Sequence, residues 1–72
     1  MPVVVAARLK VTRKDRRELE RIARSSVLPY RMVVQASALL LAADGVANER
    51  IARECATNPD TVRAWRRKFL SA

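Results

Sequence analysis

A chain of 72 residues admits one domain with a modest core, since at this size only about 60% of the unfolded surface can be buried. Fifteen Lys and Arg against seven Asp and Glu leave a formal net charge of +8, which favours phosphate polymers or acidic membrane surfaces as partners. With no histidine and one cysteine, a zinc site, His-based acid–base catalysis and an internal disulfide are all excluded, and the lone thiol suits a reducing cytoplasm.

The single glycine argues against a turn-rich β protein and for helices joined by short connections. Ala36 to Ala43, the longest small-and-apolar run, is far short of the ~20 residues a bilayer requires. Met1 to Ala7 is apolar without a charged leader, so it does not read as a signal peptide.

Residues 1–11 read as an extended arm. Val3, Val4 and Val5 are β-branched, and Leu9 and Val11 alternate with Arg8 and Lys10. Two roles suit such an arm: Arg8 and Lys10 reaching a minor groove, or Val3–Val5 pairing with a second copy of the chain in a homodimer. Thr12, with Asp15 three residues on, marks a helix start that resembles a capping box with Asp in place of Glu. The helix over 13–24 carries a narrow apolar stripe of Leu19, Ile22 and Ala23. The spacing predicts i, i+4 pairs for Lys14–Glu18, Arg16–Glu20 and Glu20–Arg24 on its solvated faces.

Ser25, Ser26 and Pro29 break the chain, and a long helix is predicted from about Pro29. On a 100° wheel Met32, Val33, Ala36, Leu39, Leu40 and Ala43 share one face, widened by Val34 and Leu41. So wide a face requires partners in more than one direction, which makes this the central helix. Gly45 stands where a left-handed C-terminal residue belongs.

A short helix over Asn48–Cys55 points Ile51, Ala52 and Cys55 inward, with Glu49–Arg53 and Arg50–Glu54 spaced to pair outside. Cys55 reads as a small core residue rather than a reactive thiol. Asn58-Pro59-Asp60 then opens the last helix with an N-cap, a proline at N1 and an acid at N2. That helix is expected to run to Phe69 or Leu70, with Val62, Trp65 and Phe69 on its inner face.

Its opposite face holds Asp60, Arg63, Ala64 and Arg67, flanked by Thr61, Lys68 and Arg66. Two short helices joined by a three-residue turn, the second cationic outward, form the arrangement that lays a helix in the major groove. The like charges Arg63, Arg66 and Arg67 at i, i+3 and i, i+4 cost an isolated helix a few tenths of a kcal/mol per pair, roughly. Phosphates and guanine edges would reward that clustering. Arg63 and Arg67 are the first candidates for base reading, with Asn58 and Asp60 second and Ala64 leaving room for close approach. Thr61, Arg66 and Lys68 are candidates for phosphate contacts.

Ile51-Ala52, a turn, Thr61-Val62 and Trp65 followed by Arg66-Arg67-Lys68-Phe69 resemble the homeodomain-like N-terminal helix-turn-helix of bacterial insertion-sequence transposases related to mariner. The likeness extends upstream to Thr12, Leu19, Arg24-Ser25 and Leu39 to Gly45, about residues 9–70 in all. It implies a small all-α bundle of about four helices that binds the terminal inverted repeats of a mobile element. In such transposases a second DNA-binding subdomain and a metal-dependent catalytic domain lie further along. The sequence stops after the recognition helix, so the expectation is sequence-specific binding of double-stranded DNA without cutting. Three positions depart from the family's pattern: Ala56 where Gly is usual, Thr57 where Val is usual, and Ala47 where a capping Ser is common.

A stand-alone transcriptional regulator could use the same fold and face. A membrane or protein module built on the 13–24 helix is disfavoured by its three apolar residues. An enzyme is disfavoured by scattered carboxylates with no histidine to converge on, and no cofactor or small-molecule substrate is expected.

Overall fold

A computed structural model describes residues 8–71, with four α-helices and no strand among them: α1 (Arg13–Ala23), α2 (Tyr30–Ala43), α3 (Asn48–Glu54) and α4 (Pro59–Ser71). The expectations for Val3–Val5 and the rest of residues 1–7 lie outside the described residues. The chain is a small all-α bundle, as its composition and periodicity predict.

Each helix boundary has a local chemical cause. The Thr12 hydroxyl accepts the Asp15 amide at 3.0 Å, which caps α1. The Ser25 hydroxyl accepts the Val27 and Leu28 amides and shapes the connection to α2. Pro29 occupies the N-cap of α2, so the helix begins one residue later than Pro29 itself. The α2 terminus closes in a Schellman motif: the Val46 amide donates to Leu41 and the Gly45 amide to Ala42, with Gly45 at φ 85°. The end of α3 repeats it, with Thr57 donating to Ala52, Ala56 to Arg53, and Ala56 at φ 54°.

The core consists of Leu9, Leu19, Ala36, Ala38, Leu39, Ala42, Ile51, Ala52 and Val62. Four of these nine are alanines, so the helices meet closely around α2. α1 packs on α2 alone, while α3 and α4 pack on each other and on α2. Leu19 and Ile22 of α1 face Met32, Gln35, Ala36 and Leu39 across a shallow groove. Ala38 lies about 160° round the helix from Ala36, on the side left for α3 and α4. The broad apolar face of α2 is thus covered from two directions, except that Met32 is 43% exposed at the rim of the α1 groove.

The arm joins the fold sooner than its alternating pattern suggests. Leu9 is buried, and its amide donates to the Ala42 carbonyl at 2.9 Å, so residues 8–11 are pinned to the end of α2. The predicted ladder of pairs on α1 is replaced by two other contacts. Arg16 reaches across to Asp44 at 2.6 Å, and Arg21 pairs with Glu18 one turn back. Arg50–Glu54 forms as spaced, at 3.4 Å. Among the described residues no helix is long and apolar enough to cross a membrane.

Candidate nucleic-acid interface

The start of α4 is organised by one side chain. Asn58 Oδ1 accepts the Thr61 amide at 2.9 Å and the Thr61 hydroxyl at 3.2 Å, while the Asn58 carbonyl accepts the Thr61 and Val62 amides. Asn58 is therefore the N-cap, and its side-chain oxygen is spent on its own helix. Thr61 is tied into the same cap. Both residues, candidates for DNA contact on sequence grounds, act first as the structural entry to α4.

Helical periodicity then sorts the remaining side chains. Val62 is buried against α2 and α3, with Trp65 and Phe69 half-buried beside it. Trp65 lies on the inner face its place on the wheel predicts and packs against the core. Its indole covers the edge of the fully buried cluster rather than belonging to it. Asp60, Arg63, Ala64, Arg67 and Lys68 are all exposed, and form the outward face expected.

Within that face the charges are not equivalent. Arg63 Nη1 donates to Asp60 Oδ1 at 2.7 Å, with Asp60 almost wholly in solvent. Arg67 and Lys68 form no side-chain hydrogen bond or ion pair among the described residues. Arg66 is half-buried and donates to Asn48 Oδ1 at 3.3 Å, joining α4 to the first turn of α3. Arg66 thus ties the two helices together as well as lying beside the candidate face. Sequence alone makes Asn48 the first residue of α3 and does not pair it with Arg66, because the two lie 18 apart, beyond any helical spacing.

A second basic surface borders the α2–α3 connection. The Arg8 side chain lies across Gly45, where a Cβ would come within 3.0 Å of Arg8 Cγ and Nε. Glycine meets both that close approach and the positive φ without strain. The exposed face of α1 carries Arg13, Lys14, Arg17 and Arg21 interleaved with Asp15 and Glu18 around an open hollow. The hydrogen bond from Arg21 holds the Glu18 carboxyl below its ordinary range, and Glu18 in turn raises the Arg21 guanidinium. No other helix contributes to the hollow, which is a solvated face with four cations against two acids.

Cys55 is half-buried, and burial, then the neighbouring Glu54 carboxylate, push its thiol above the ordinary range. A protonated thiol is a poor nucleophile, in keeping with a packing role. Among the described residues no three His, Cys, Asp or Glu side chains gather to hold a metal ion. The chain matches no family model, no curated protein and no solved structure.

Proposed function

We propose that this chain binds double-stranded DNA and reads its sequence with α4 laid in the major groove. The observation that carries the reading is the division of α4. Val62 anchors the helix on α2 and α3, while Arg63, Ala64, Arg67 and Lys68 stand together on the exposed side. A guanidinium can bridge O6 and N7 of guanine, and an ammonium serves as a point contact to phosphate. The net charge of +8 supplies long-range attraction to the duplex.

The resemblance to insertion-sequence transposases gives the role its most specific form, recognition of a mobile element's terminal repeats. In that role the chain works on the nucleoid in a reducing cytoplasm, where a lone cysteine stays unpaired. Selection of the chain against random duplex DNA tests this. A long, nonpalindromic consensus supports end recognition. A short palindrome favours a dimeric regulator, and failure to enrich any sequence removes the readout.

A further inference from the structure

Asp60 is the single acid in α4, and it stands among Arg63, Arg66, Arg67 and Lys68 on the helix proposed to face DNA. An exposed carboxylate there repels phosphate and lowers affinity for every duplex. Its place in the first turn favours the helix dipole, but the same oxygen also holds Arg63 Nη1 at 2.7 Å. Neither Asn58 nor Thr61 competes for that guanidinium, because Asn58 Oδ1 accepts both the amide and the hydroxyl of Thr61. Among the described residues Arg63 has one acidic partner, and that partner is on its own helix one turn back.

On this basis, and resting on the proposed groove binding, we infer that Asp60 is a positioning residue that orients Arg63 for bidentate contact with one guanine. A guanidinium carries five N–H donors, and the bond to Asp60 uses one. The others include the pair that bridges guanine O6 and N7. An unheld arginine samples many rotamers and finds phosphate as readily as base. Held from behind by a carboxylate, it presents a planar fork in one direction. Asp60 therefore trades general affinity for discrimination at a single base pair.

The opposing effects make the test specific. The full chain, Asp60→Ala, Asp60→Asn and Arg63→Ala are titrated against the selected duplex, against the same duplex with each base pair replaced in turn, and against a scrambled duplex. Circular dichroism confirms that each variant is folded. For Asp60→Ala the expected result is stronger binding to the scrambled duplex, together with a loss of about tenfold or more in preference for guanine at one position. Asp60→Asn, which keeps an acceptor oxygen but not the charge, recovers part of the preference while retaining the stronger general binding. In the Arg63→Ala background, removal of Asp60 changes the base profile no further. A merely capping Asp60 would lower the melting temperature and leave the base profile as it was, and that result overturns the inference. So does a wild-type profile with no guanine preference that depends on Arg63. If the wild-type chain binds no duplex at all, the groove-binding reading itself fails.

Discussion

The Thr57 amide donates to the Ala52 carbonyl across 2.8 Å, closing the turn between the two helices of the motif over an alanine in left-handed backbone. The same closure at the end of α2 has Gly45 in the equivalent place. One motif thus occurs twice, once with the residue that fits and once with a residue that carries Cβ strain. Ala56→Gly should raise stability by about 1 kcal/mol, a shift of about 4–8 °C in a thermal melt. Gly45→Ala should act oppositely and cost more, because its Cβ also meets Arg8. Combining it with Arg8→Ala should recover only the steric part, since the backbone strain remains.

Ala47 precedes α3 with φ −65° and ψ 145°, the backbone of an N-cap, but has no side-chain oxygen to accept from the first amides. Ala47→Ser should supply that acceptor and stabilise the fold by about 0.5–1 kcal/mol. A melt that leaves the midpoint unchanged would show that water already serves those amides equally well.

Ile51 is fully buried and Trp65 half-buried, so size and cost should not run in parallel. Ile51→Ala should cost about 3–4 kcal/mol in denaturant unfolding. Trp65→Ala removes a larger side chain yet should cost only about 2–3 kcal/mol, because the indole is not fully buried. The reverse order would mean that the core is centred on Trp65 instead.

Cys55 should alkylate slowly. At pH 8 its raised thiol is mostly protonated, so iodoacetamide should modify the folded chain well behind the chain in denaturant. The stability it contributes is complete below the ordinary thiol pKa and is lost as pH rises through the raised folded value. Equal rates in the folded and unfolded chain would contradict the packing role.

What the sequence made legible was local. Thr12 with Asp15, Gly45, and Asn58 followed by Pro59 announce helix ends through chemistry confined to a few residues. The periodicity of Val62, Trp65 and Phe69 sets which side of α4 faces outward. What stayed hidden depends on how the helices meet. Arg16 abandons its predicted partner Glu20 for Asp44, and Arg66 finds Asn48, because packing brings distant residues closer than a helical turn does. A wheel gives direction without depth, which is why it predicts Met32 more buried than it is. The docking of Leu9 on Ala42 is likewise a tertiary event that an alternating pattern does not encode.

The central claim is that α4 both attracts DNA and reads it, with Arg63 directed at a base and Lys68 at phosphate. The measurement is a salt-dependent titration of the wild-type chain, Arg63→Ala and Lys68→Ala on the selected and scrambled duplexes. Arg63→Ala should cost about 1–3 kcal/mol on the selected duplex and relax preference at one base pair. Lys68→Ala should weaken both duplexes alike and reduce the slope of log affinity against log salt by about one. Equal losses on both duplexes for both variants would reduce α4 to a source of charge without readout. Unchanged binding by two folded variants would contradict the account, because α4 would then not touch DNA.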